Sequence, residues 1–251
     1  MTAADERGGS PRSGFPWMVL VVGVAALAAL VALGTWQVNR LAWKEALIET
    51  IDRRIASEPR PLAEMERLNA ETGEVDYWPV SLSGTYLHDR ESHFLATWKG
   101  AAGYFVYTPL ELADGRMVLV NRGFVPFDRK DPTTRAAGQV AGEVDIVGLA
   151  RDPLAGKPSW IVPDNDLAKN VFYWKDIAAM ASRAGLDPVR LIPFFVDAGP
   201  AENPGGLPDG GVTMVDLPNN HLQYAVTWYG LASALAAVLA IFIRGRLRSR
   251  P

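Results

Sequence analysis

Two long apolar runs bracket a stretch of mixed, shorter-period pattern. No charged residue occurs from Pro16 to Leu33, and none from Tyr224 to Ile243. At ~1.5 Å of rise per residue, a helix over either run crosses, or nearly crosses, a hydrocarbon core ~30 Å thick. Backbone amides in lipid have no water to bond, so such runs must be helical. Trp17, and Tyr224, Trp228 and Tyr229 at the second run, supply rings that favour the membrane–water boundary. Ala32-Leu33-Gly34 has the small residues of a signal-peptide cleavage site. The run is longer than an ordinary signal core, however, and its helical pattern continues through Trp36, Gln37, Arg40 and Leu41, so it reads as a retained anchor.

Between the runs the period changes. Leu41, Ile48, Ile51 and Ile55 recur every three or four residues and extend the first helix outward over residues 35–56, until Pro59 and Pro61 stop it. A second helix is expected over 62–69, closing near Gly73. Alternation with a period of two then predicts strands over 77–86, 92–98, 104–111, 117–124, 143–150 and 194–197. Leu112-Ala113-Asp114-Gly115 joins the fourth strand to the third with Asp-Gly turn chemistry. A helix is expected over 174–184 with Gly185 following it as the C′ residue. Residues 199–211, rich in Gly and Pro, read as a loop leading to the second anchor. The expected class is α+β, with two terminal transmembrane helices flanking an external domain. That domain holds an antiparallel β-sheet or partial barrel and a few helices. The expected division is a leader over 1–15, anchors over 16–34 and 224–243, a domain over 35–223 and a basic tail over 244–251.

Charge sets the orientation. The formal net charge of the 251 residues is only −3, but Arg244, Arg246, Arg248 and Arg250 follow the second run. Such a cluster favours the cytoplasmic side, which places both termini there and the domain outside. The leader carries Asp5 and Glu6 and is not the Arg-rich, acid-poor kind, so a bacterial inner membrane with a periplasmic domain is expected. The acidic middle is a poor partner for nucleic acid. With no cysteine there are no disulfides, thiolate metal sites or thioether-linked haem. Nucleophile-elbow, dinucleotide-binding, P-loop and zincin patterns do not occur, so the chain is not expected to be an enzyme. His88 and His93 flank a short turn and read as solvated loop histidines rather than a metal clamp.

Three segments carry more specific information. Leu33-Gly34-Thr35-Trp36-Gln37-Val38-Asn39-Arg40-Leu41-Ala42-Trp43-Lys44 follows the first anchor. Thr108-Pro109-Leu110 precedes Leu119-Val120-Asn121-Arg122-Gly123-Phe124-Val125-Pro126 in the middle of the domain. Pro218-Asn219-Asn220-His221-Leu222-Gln223-Tyr224-Ala225-Val226-Thr227-Trp228-Tyr229 opens the second anchor. Each alone is weak. In this order, around two anchors, they resemble the Surfeit locus protein 1 family over nearly the whole chain, with Phe124 where that family more often has Trp.

The resemblance implies an assembly factor for a haem–copper, cytochrome c type terminal oxidase, one that binds haem a and aids its insertion into subunit I. Oxidase subunit I and haem a synthase are the implied protein partners, and membrane lipid the surroundings. The rival reading is a non-haem scaffold that stabilises an oxidase assembly intermediate through its external domain. His221 is the implied axial ligand of haem iron. It falls in the first turn of the second membrane helix, with Asn219 or Asn220 as N-cap. There the positive end of the helix dipole opposes an imidazolium, and a neutral imidazole is a ligand for iron. Trp228 lies two turns further on the same face, with Ala225 between. Trp36, Gln37 and Arg40 come from the first helix to the same membrane face, and Arg40 or Lys44 can pair with propionates. The plainer readings are an interfacial histidine capping its own helix and a boundary tryptophan. Asn121-Arg122-Gly123 reads as a strand bulge or turn whose Arg122 bonds nearby carboxylates. Trp174 and Asp176 open the 174–184 helix. Gly230 and Ala234 provide a small-residue spacing for helix packing.

Overall fold

The computed structural model describes residues 17–213, 215 and 217–248. The expected leader, Pro16 and Arg250 lie outside the described residues. The chain divides into two compact units, one formed by residues up to Glu49 together with those from Leu217, the other by Thr50–Asp216.

The first unit is helical. Helix α1 runs unbroken from Trp17 to Ile55 and carries no proline, so nothing interrupts its hydrogen-bond ladder. Its last turn lies beyond this unit. The C-terminal helix, α4, spans His221–Arg248. Both are long and apolar enough to cross a membrane, and only 6% of the most apolar window of each is buried. A core helix of a soluble protein hides such a face. These two leave it outward, as helices solvated by lipid do.

The second unit is β-rich. Strand β1 (Arg60–Pro61) leads into helix α2 (Leu62–Thr72) and then strand β2 (Pro79–Tyr86), which lies parallel to β1. Strands β3 (Ser92–Trp98), β4 (Ala101–Glu111), β5 (Met117–Pro126) and β6 (Glu143–Arg151) follow. Helix α3 (Ile177–Arg183) and strand β7 (Leu191–Ala198) complete the unit. The sheet order is β1-β2-β6-β7-β5-β4-β3, and β2 pairs again with β4. That second pairing closes β2, β6, β7, β5 and β4 into a five-stranded barrel. Closure depends on Gly84, because a Cβ there would collide with the Glu111 carbonyl on β4. Most neighbours are antiparallel, as expected, but β5 and β7 are parallel. The long connection between them, containing β6 and α3, returns the chain to the end where β5 began.

Two apolar clusters lie on opposite faces of β5. Val118 and Val120 point into the barrel with Leu82, Leu110, Ile146 and Val196. Met117 and Leu119 face outward, where Met180 and Ala181 of α3 cover them with Phe172 and Phe195. Burial on both faces explains why β5 reads as a continuous apolar run. Helix α3 is shorter than expected. It starts after Asp176, whose carboxylate accepts the Ala179 amide at 3.0 Å.

The histidine reading needs correction. His93 is 4% exposed and lies inside a polar cluster rather than in solvent. The Asn170 amide donates to its Nδ1 (2.8 Å), so Nε2–H donates to Glu91 (3.1 Å). Arg135 bonds the same carboxylate oxygen. His88 is half-buried, its Nε2 bonded to the Val140 carbonyl at 2.9 Å. Among the described residues no group of histidine and carboxylate side chains is placed to hold a metal. Burial alone would raise the carboxyl pKa of Glu91, but the His93 hydrogen bond and the Arg135 guanidinium hold it below its ordinary value.

A lowered folded-state value means that Glu91 stabilises the fold fully above its unfolded pKa of ~4.3, and that this stabilisation fades as pH falls through the folded value. Glu91→Gln leaves Arg135 buried without its partner. It is expected to cost ~3–5 kcal/mol at neutral pH and to flatten the loss of stability below pH ~4. Urea unfolding of the detergent-purified chain across pH measures both.

Candidate functional site

The helical unit brings α1 and α4 together as an antiparallel pair. Gly23 lies opposite Leu239 and Gly34 opposite Tyr229. The Tyr229 hydroxyl shares a hydrogen bond with Thr35 at 3.0 Å, next to its packing against Gly34. Nearer the start of α4, Gln37 and His221 meet. Gln37 is 8% exposed although it belongs to an otherwise exposed turn of α1. Its Oε1 lies 2.7 Å from His221 Nδ1. An amide oxygen only accepts, so Nδ1 carries the proton. In that tautomer Nε2 keeps its lone pair, and Nε2 has no hydrogen-bond partner among the described residues.

The start of α4 makes this geometry possible. His221 is its first residue, and the Asn220 carbonyl accepts the Tyr224 amide, so Asn220 holds the N-cap position. From there Ala225 and Ala232 are buried and Trp228 half-buried, marking the face of α4 that carries His221. Gly230 has open space around it, so the Gly230–Ala234 spacing does not face α1 in the pair.

The other named residues are placed differently. Arg40 is exposed and stacks its guanidinium over Trp43 of the same helix, 4.2 Å from the ring centre. Trp36 is exposed, and Lys44 is half-buried. The pair therefore joins His221 to Gln37, with Trp228 further along the His221 face, and leaves Trp36 and Arg40 outward. Gln37 is the residue that sequence reasoning undervalued. Its signal was a polar side chain one helical turn beyond an uncharged run, where only a buried partner makes burial favourable.

The middle motif is built into the barrel. Residues 122–123 of β5 lie opposite the single residue Val106 of β4, so of the bulge and the turn expected there it is a bulge that forms. Gly123 adopts φ +127°, and a Cβ there would strike the Asp209 carbonyl, which accepts the Phe124 amide at 2.8 Å. Asn121 donates to Asp197 at 2.9 Å and accepts the Gly123 amide at 3.2 Å. Arg122 does not bond carboxylates as expected. It meets only neutral acceptors: His88 Nδ1 at 3.3 Å, the Gly138 carbonyl at 2.5 Å and Asn203 Oδ1 at 3.1 Å.

Comparison with known proteins accounts for both motif regions at once. The SURF1 family model matches residues 24–233, taking in most of α1, the whole barrel and the first part of α4 with His221. The chain belongs to the SURF1 family. Similar members include Surfeit locus protein 1 of Homo sapiens, 37% identical over 249 residues, covering 91% of this chain and 78% of that one. The Xenopus tropicalis protein of the same name is 38% identical over 235 residues, 87% and 72% of the two chains. A SURF1-like protein of Monosiga brevicollis is 38% identical over 256 residues, 97% and 91% of the two chains. A β-rich domain between two long apolar helices along this chain fits a two-pass membrane protein.

Gln37→Leu removes the acceptor of the His221 Nδ1 proton. Side-chain nitrogen NMR of labelled protein is expected to find His221 in the Nδ1–H tautomer in the native chain and in a tautomer mixture in the variant.

Proposed function

We propose that this chain is a membrane-bound assembly factor for a haem–copper terminal oxidase, holding haem a as cargo and aiding its insertion into subunit I. Membership of a family known for cytochrome oxidase assembly supports the broader statement. The observation that carries the finer one is the His221–Gln37 hydrogen bond. Iron-ligating histidines commonly donate their second ring N–H to an acceptor, which sets the tautomer, orients the ring and makes the ligating nitrogen more basic. Gln37 does this for His221. Trp228, on the same face of α4, offers a flat apolar surface beside the ligand. Trp36 and Arg40 lie outward on α1, where an arginine suits a propionate and an indole suits a porphyrin edge.

The proposal places both termini in the cytoplasm, residues 35–223 in the periplasm and the anchor segments over 16–34 and 224–243 in the inner membrane of a bacterium. Haem a synthase and oxidase subunit I are the proposed neighbours in that membrane. The role needs no catalysed reaction. A carrier binds the cofactor where it is consumed and keeps an oxidising porphyrin from lipid.

Co-expression with a haem a biosynthetic pathway tests the reading. The purified chain is expected to carry a haem a absorbance spectrum, His221→Ala to lose it, and Gln37→Leu to bind ~10–100-fold more weakly. Retention of an unchanged spectrum by His221→Ala would rule out the ligand assignment. Retained oxidase assembly in that variant would favour the non-haem scaffold instead. The topology has its own test, since a chain without cysteine accepts single-cysteine probes freely. A cysteine at Val189, which is 91% exposed, is expected to react with an impermeant maleimide in intact spheroplasts, and one at Arg248 only after lysis.

A further inference from the structure

Arg122 is 1% exposed, and none of the ion pairs among the described residues includes it. Its Nε–H is buried without a partner. One face of the guanidinium stacks on Tyr86, 4.6 Å from the ring centre. Every atom it does bond is neutral, so a full positive charge sits inside the barrel end with no counter-charge in contact. Burial pulls its pKa below the ordinary arginine value, in the direction that an unpaired cation requires. Structural arginines in such places ordinarily pair with a carboxylate, because an isolated buried charge is costly.

Arg122 also lines a pocket of about 210 Å³. Tyr86 and Asn203 stand beside it there, and Val144, Ile146 and Pro204 supply apolar wall. That volume is below the ~300–1,000 Å³ of sites for drug-sized ligands. The remaining charged residues of the lining are Asp145 and Glu202, both exposed, with Asp145 already bonded to Ser83 at 2.5 Å. Two acids at the rim repel ions with several negative charges. They tolerate a single charge that passes beyond them to an arginine.

We propose that this pocket binds a small monocarboxylate, its head on the Arg122 guanidinium and its short apolar stem against Val144 and Ile146. The planar fork of arginine matches a carboxylate, and the missing counter-charge is what the ligand supplies. This site lies wholly within the β-rich unit and is independent of the haem reading.

Calorimetric titration of the full detergent-purified chain with butyrate, succinate and inorganic phosphate tests it. Butyrate is expected to bind saturably and more tightly than the other two. Ala201 is exposed and lines the pocket, so Ala201→Trp fills the space and is expected to weaken butyrate at least about tenfold. Glu202→Gln is expected to narrow the gap between succinate and butyrate. Binding of a valine tripeptide with a free, but not an amidated, C-terminus supports the same site and identifies a chain end as the carboxylate. Absence of saturable butyrate binding, equal binding by Ala201→Trp, or phosphate binding as tightly as butyrate overturns the proposal.

Discussion

A polar group taken out of water must find a partner inside the protein or in a ligand, and this constraint shapes both units of the chain. In the helical unit it acts on the backbone first, since lipid offers no hydrogen bonds and an unbroken α-helix satisfies every amide. It acts next on side chains. Gln37 is buried with its amide oxygen on His221, and each fixes the other's geometry. In the barrel, β5 is covered on both faces, so the polar residues Asn121 and Arg122 had to be supplied with acceptors from four separate segments.

Those requirements turn the middle motif into a junction. Asn121 ties β5 to β7 through Asp197, and Thr213 joins the same carboxylate at 3.0 Å. Arg122 gathers the turn at His88, the segment at Gly138 and the loop at Asn203. Gly123 lets the chain near Asp209 dock as an added bridge. Three adjacent residues thus organise the barrel end, each through a different property: an amide that donates and accepts, a guanidinium with several donors, and a backbone free to take positive φ. A second buried cluster, around Glu91, His93, Arg135 and Asn170, performs the same service for β3 and the long segment before α3. The barrel is held by these polar junctions as well as by its apolar interior.

The helix pair is the simpler device. Its contacts include a glycine under a tyrosine ring, another against Leu239, a hydroxyl bond and an amide–imidazole bond. In the proposed reading, a cofactor held by one imidazole whose ring is oriented from behind can leave again.

The periodicity of the chain alone determined the two long helices, the order of the strands and the turn at Asp114-Gly115, because 3.6- and 2-residue patterns are local consequences of backbone geometry. Motif order was enough to identify the family and to single out His221 and the Asn121-Arg122-Gly123 bulge. Barrel closure was decided only in three dimensions, since the β2–β4 pairing joins residues far apart in sequence at a glycine whose importance lies in what it avoids touching. The burial of His93, the neutral surroundings of Arg122 and the pairing of Gln37 with His221 were equally invisible in one dimension. A side chain's partner is set by which segments the fold brings beside it, and no spacing along the chain encodes a contact across 184 positions.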